Sequence, residues 1–100
     1  MRIRKHTRAK LDVLEIYAYL ANDSERVAER FLTNLDQAIH TLTETPMIGR
    51  KSDIAVSGYP APRIWHVPGF EDFLIFYVPS DEELEIVRVL HGKRDIESLP

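Results

Sequence analysis

Apolar residues recur along this chain with two different periods, and the change of period divides it. From Arg8 to about Ala21, the residues Leu11, Leu14, Tyr17, Ala18 and Ala21 fall three or four apart, the spacing of one helical face. Val13, Ile16, Tyr19 and Leu20 widen the stripe and predict a helix buried on more than one side. Thr7 precedes it as a candidate N-cap. Asn22-Asp23-Ser24 interrupts the pattern and offers a cap for a second helix from about Glu25 to Thr45. There Val27, Ala28, Phe31, Leu35, Ala38, Ile39 and Leu42 form a clean stripe, and Glu25 and Glu29 suit the positive end of the helix dipole. Pro46 and Gly49 end it. So short a break between the helices makes them antiparallel neighbours.

Past residue 62 the helical period is gone. Arg63 to Val67 reads as a strand, turned by Pro68-Gly69. Phe73 to Val78 is uncharged, the pattern of a strand buried on both faces. Pro79-Ser80-Asp81 turns the chain, and the β-branched run Leu84 to Leu90 pairs back as a hairpin that Gly92 ends. At the other terminus Arg2 to His6 sets Ile3 between charges, which suits an edge strand able to accept a strand from a partner. Met47 to Pro62 reads as a connector, ordered or loosely structured, of a length that often carries function. The order β-α-α-β-β-β is an α+β, two-layer arrangement: an antiparallel sheet with an N-terminal helical hairpin packed on one face. The other face then needs a partner or side chains from the chain itself.

One hundred residues fit a single domain, 1–100. There is no cysteine, hence no disulfide, thiolate metal site or thiol nucleophile. His66 and His91 alone do not make a zinc site, and neither metal nor cofactor is expected. No apolar run is long enough for a membrane span or a signal peptide, so a soluble, cytoplasmic protein is expected. The net charge of −3 is uneven. Residues 1–62 carry nine Lys/Arg against eight Asp/Glu, and residues 63–100 carry four against eight. Such a balance argues against whole-protein attraction to nucleic acid. Arg2, Arg4, Lys5, Arg8 and Lys10 still make either a local basic patch or an ordinary solvated surface.

Several pieces fall in an order that resembles a known family. They are Ala9-x-x-Asp12-x-x-x-Ile16-x-x-Tyr19-Leu20-Ala21, Ala28-x-x-Phe31-x-x-x-Leu35 and Leu42-x-x-x-Pro46-x-x-Gly49-Arg50. Arg63, Phe73-Leu74-Ile75-Phe76-Tyr77 and Ile86-Val87-Arg88-Val89-Leu90-His91-Gly92-x-Arg94-Asp95 complete the set. Together they resemble ParE-type toxins of the RelE/ParE superfamily, the toxin halves of bacterial type II toxin–antitoxin pairs. The resemblance implies a small sheet with a helical hairpin on one face. It also implies a cognate antitoxin, ParD-like or another small protein, in a toxin–antitoxin hetero-oligomer whose DNA contact runs only through the antitoxin.

The superfamily divides by activity. ParE-like members poison DNA gyrase by protein contact, and RelE-like members cleave mRNA on the ribosome. The nuclease needs positioned acid–base and cationic groups. Arg63 and Arg94 match two of its arginines, but the terminal tyrosine or histidine is missing after Arg94. The expectation is therefore a non-enzymatic gyrase inhibitor, with a RelE-like endoribonuclease using Arg63 and Arg94 as the alternative. A third reading is an inactive homologue that acts only in the antitoxin complex. Candidate antitoxin- or target-binding residues are Arg63, Trp65, His91, Arg94 and Asp95. Four of them have a plainer reading: Trp65 as core, His91 as a strand-end hydrogen bonder, and Arg94–Asp95 as a tie for the C-terminal end. Arg88 is expected on one face with Ile86 and Leu90, paired to a carboxylate if partly buried.

Overall fold

Two helices and five strands follow one another as β1 (Arg2–Lys5), α1 (Thr7–Asp23), α2 (Glu25–Glu44), β2 (Arg50–Lys51), β3 (Arg63–Val67), β4 (Phe70–Pro79) and β5 (Glu83–His91). They come from a computed structural model that describes residues 1–96 and 99. The sheet order is β1-β5-β4-β3-β2. Strands β2, β3, β4 and β5 pair antiparallel with one another in the order β5-β4-β3-β2, and β1 pairs in parallel with β5, Arg2 opposite Glu83 and Lys5 opposite Ile86. The architecture is the expected α+β one, with two corrections. The sheet is mixed rather than wholly antiparallel, because a whole helical hairpin separates β1 from β2 and no tight turn fixes the direction of β1. The connector also contributes a strand, β2, whose two residues are too short to show a period.

Helix α2 follows its sequence pattern closely. Ala28, Phe31, Leu35, Ala38, Ile39 and Leu42 are buried, and the Ser24 side chain accepts from Val27 N–H as the N-cap. Helix α1 does not. Its buried residues are Ala9, Asp12 and Ile16, while Leu11 and Leu14 point to solvent, Leu14 at 65% exposure. Its widened stripe holds two overlapping apolar faces, and packing selects the one that carries the charge. Thr7 is not its N-cap: His6 holds that position without a side-chain hydrogen bond.

The helices cover one sheet face over a core that includes Phe31, Leu42, Val67, Ile75, Tyr77 and Leu84. Phe31 stands edge-on to Phe70 and Phe73 at ring separations of 5.4 Å each. The second face is covered by the chain itself. Val56 and Tyr59 of the connector, and Ile96 and Leu99 after β5, pack over Ile64, Phe76, Val87 and Leu90. Alternation along β4 sends Phe73, Ile75 and Tyr77 to the first core and Leu74, Phe76 and Val78 to the second. On β5 the alternation breaks. Phe76 faces Arg88 but Tyr77 faces Ile86, so Val87 is the extra residue of a β-bulge. Ile86 therefore faces the helices and Leu90 the opposite side, correcting the single face expected for Ile86, Arg88 and Leu90.

Candidate functional site

Asp12 of α1 accepts three hydrogen bonds at the edge of the sheet. It lies on the inward face of α1 between Ala9 and Ile16, where periodicity calls for an apolar side chain. Strand β1 ends opposite Ile86, and past that point Asp12 takes over the edge of β5. Its Oδ2 accepts Val89 N–H at 3.0 Å and Arg88 Nε–H at 2.7 Å, and its Oδ1 accepts from Arg88 Nη2 at 2.9 Å. The bidentate pair satisfies both charges and raises the Arg88 pKa, chiefly through these hydrogen bonds. Arg8 adds a second cation 3.6 Å away. Beside the pair lies a cleft of about 270 Å³, bordered by Glu15, Asp95 and Leu99 as well. The charge that interrupts Ala9-x-x-Asp12-x-x-x-Ile16 was the available signal for this role.

Three of the candidate residues meet where β5 ends. The Asp95 carboxylate accepts His91 N–H at 2.7 Å, and Asp95 N–H returns to His91 O at 3.0 Å. Arg94 N–H donates to His91 Nδ1 at 3.2 Å, which places the proton of a neutral ring on Nε2. Gly92 N–H donates to Asp72 O, and the His91 ring stands edge-on to Phe73 at 5.4 Å. His91 and Asp95 thus close a turn that precedes Ile96 and Leu99 on the second face. The Arg94 guanidinium sits over the Tyr19 ring at 5.3 Å and reaches a second cleft of about 170 Å³ with Glu15 and Ile16.

Arg63 belongs to the opposite end of the sheet. It pairs with Tyr77 in the β3–β4 ladder, and its Nη1 donates to Gly49 O at 2.6 Å. Buried Tyr77 donates its hydroxyl to Pro46 O at 2.7 Å and accepts Gly49 N–H at 2.9 Å. Burial raises the Tyr77 pKa against the opposing pull of the Gly49 N–H and the Arg63 charge. A side chain at Gly49 would meet Ile64 O and the Tyr77 hydroxyl, each at 2.6 Å, so only glycine lets the three groups close together. This knot fixes the turn that presents Met47, Ile48, Arg50 and Lys51 to solvent.

Trp65 is half-buried, packed at the margin of the helix-side core, with the His66 ring centred 4.7 Å away and tilted by 32°. Because β2 pairs only with Arg63 and Ile64, the β3 edge is open beside Trp65. A cleft of about 260 Å³ forms there with Ile48, Arg50, Ile64, His66 and Leu74. The five candidates therefore make no single site. Arg63 faces Tyr77 and His91 faces Phe73, four residues apart on β4, or roughly 13 Å of strand. Arg94 lies beyond His91 and turns toward α1, so the two arginines do not converge. Among the described residues, no three His, Asp or Glu side chains are grouped to hold a metal ion. No helix is long and apolar enough to cross a membrane, again among the described residues.

A family model described as the ParE toxin of the type II toxin–antitoxin system parDE matches residues 3–96. No curated protein matches the chain.

Proposed function

This chain belongs to the ParE toxin family of type II toxin–antitoxin systems, and from that membership we propose that it inhibits DNA gyrase by protein–protein contact and is neutralised by a cognate antitoxin. The match over residues 3–96 carries the reading, since it spans both helices, β2 to β5 and all of β1 but Arg2. The separation of Arg63 from Arg94 supports a binding protein over a nuclease. A nuclease needs its cationic and acid–base groups within reach of one phosphate. Arg63 is instead bonded to the carbonyl oxygens of Gly49 and, more distantly, Met47.

In this reading the candidates divide by role. Trp65 supplies an aromatic anchor beside an open cleft, and Arg94 supplies an exposed cation, the residue types that dominate interfaces. Arg63, His91 and Asp95 position these surfaces through their backbone hydrogen bonds. The test is inducible expression with and without the neighbouring small open reading frame, following DNA replication and protein synthesis separately. Early failure of replication, with rescue by the neighbour, is the expected result. Early failure of protein synthesis with cut transcripts would replace gyrase by the ribosome as target. Harmless expression would leave a role within the antitoxin complex alone.

A further inference from the structure

We infer that the turn from Met47 to Lys51 is a docking surface for a target protein that presents carboxylates and apolar side chains together. The turn is locked from beneath. Gly49 N–H donates to the Tyr77 hydroxyl at 2.9 Å, that hydroxyl donates to Pro46 O at 2.7 Å, and Gly49 O accepts from Arg63 Nη1 at 2.6 Å. Tyr77 is fully buried, so the lock has a rigid base. Surface turns favour polar residues. This one instead holds Met47 at 64% exposure and Ile48 at 41%, followed by exposed Arg50 and Lys51. Side chains on a rigid turn lose little freedom on binding, so contact with them is less costly than contact with a loose loop.

Both faces of the sheet take part. Arg50 pairs with Ile64 of the second face, and Lys51 pairs with Arg63, which stands opposite Tyr77 of the helix-side core. Cross-strand partners share a face, so the two cations point to opposite sides. On one side Ile48 and Arg50 border the cleft beside Trp65. On the other, Met47 and Lys51 border a cleft of about 190 Å³ with Ala61, Pro62 and Pro79. Each cleft thus has one exposed apolar residue and one cation at its rim. Charge then selects the partner. Arg4, Arg8 and Arg88 already lie against carboxylates of this chain. Arg50 and Lys51 are paired with none among the described residues, so a partner's carboxylate gains an ion pair without displacing one. A second copy of the chain brings the same two cations and is repelled. Nucleic acid needs a longer row of cations than two. The inference rests on the reading that the chain acts by protein contact and names the chemistry of the target's surface, whichever protein the target is.

The probe is an eight-residue peptide of alternating Leu and Asp, with its Lys-for-Asp counterpart as control, titrated into the isotopically labelled full chain. Trp65 is the only tryptophan of the sequence, so its emission reports on the cleft, and amide NMR signals locate the contact. The acidic peptide is expected to move Trp65 emission to shorter wavelength, shift the Ile48, Arg50 and Lys51 amides, and bind at least about tenfold tighter than the basic one. Arg50→Glu with Lys51→Glu should reverse that preference at an unchanged thermal midpoint. Should that variant unfold, Met47→Ser with Ile48→Ser serves instead and should weaken the acidic peptide at least about fivefold. Lys10→Glu with Leu14→Ser changes the same residue types on the outer side of α1 and should leave binding as it was. Binding of neither peptide, equal binding of both, shifts confined to other surfaces, or tighter binding of a twelve-nucleotide thymidine strand would overturn the proposal. Immobilised DNA gyrase separates it from the reading above. Gyrase binding that the Arg50 and Lys51 variant loses supports both, and gyrase binding that it keeps overturns the surface. A chain that binds the acidic peptide at the turn but not gyrase keeps the surface and removes gyrase as its target.

Discussion

The two faces of the sheet are closed by different means. On one face two helices lie over Phe73, Ile75, Tyr77, Leu84, Ile86 and Val89, and the cover consists of regular elements with their own backbone hydrogen bonds. On the other face, Ile64, Phe76, Val87 and Leu90 lie beneath Val56 and Tyr59 of an irregular connector and beneath Ile96 and Leu99. That second cover is held by a few clasps. Val56 and Tyr59 bridge to each other through backbone bonds of 2.9 Å. The Tyr59 hydroxyl donates to Glu85 Oε2 at 2.7 Å, with Arg4 on the other carboxylate oxygen. Asp95 fixes the turn that sends Ile96 and Leu99 back over the sheet. A helical cover keeps its own backbone hydrogen bonds when a side-chain contact is lost, so it opens with the whole fold rather than by itself. An irregular cover has few bonds of its own, so each clasp matters more to whether it opens locally.

The largest expected effect tests the helical face. Phe31 is fully buried and touches two aromatic rings, so Phe31→Ala should cost about 3–5 kcal/mol in denaturant-induced unfolding. The whole sheet should unfold earlier as one unit. If the loss is small, the helical cover is not the dominant core and the comparison between faces fails.

Asp12→Ala comes next, at about 3 kcal/mol by the same measurement. It leaves Arg88 partly buried without its carboxylate and Val89 N–H without its acceptor. Adding Arg88→Met should recover part of the loss, because the uncompensated charge is then gone.

Tyr59→Phe should lower global stability by only about 1 kcal/mol. Hydrogen exchange should nonetheless speed up at Val56 and Tyr59 more than at Phe31 or Leu42. Acid should act in the same direction. The Tyr59 hydrogen bond, and then the Arg4 charge, hold the Glu85 pKa below the usual carboxylate range. Glu85 is therefore ionised and the clasp complete above about pH 4.3, its unperturbed value. Its contribution is lost as pH falls through the lowered pKa. Titration followed by amide exchange should show the connector loosening before the helices, and uniform loosening would erase the contrast between the two covers.

The smallest effects test the helix starts. Ser24→Ala removes the bond to Val27 N–H and should cost about 1 kcal/mol, read from the thermal midpoint. Thr7→Ala should stay within about 0.5 kcal/mol, because Thr7 lies inside α1 and does not cap it.

Local pattern was enough wherever one period governed a stretch. Helix α2, the strand pair β4–β5 and the edge position of β1 follow from the spacing of apolar residues, from Pro46 and Gly92, and from the charges around Ile3. These signals act between near neighbours in the chain, so a sequence displays them directly. The candidate residues were legible as types but not as a site, because the distances among Arg63, Trp65 and Arg94 depend on how strands align.

Tertiary structure decided what depends on residues far apart in sequence. It chose Asp12 over Leu11 and Leu14 as the inward side of α1, because Arg88 and Val89, more than seventy residues away, offer three hydrogen bonds there. It also set the parallel pairing of β1, the bulge at Val87 and the self-made cover of the second face. Each is fixed by hydrogen bonds and contacts between distant segments, and a one-dimensional period carries no record of which distant partner a residue will meet.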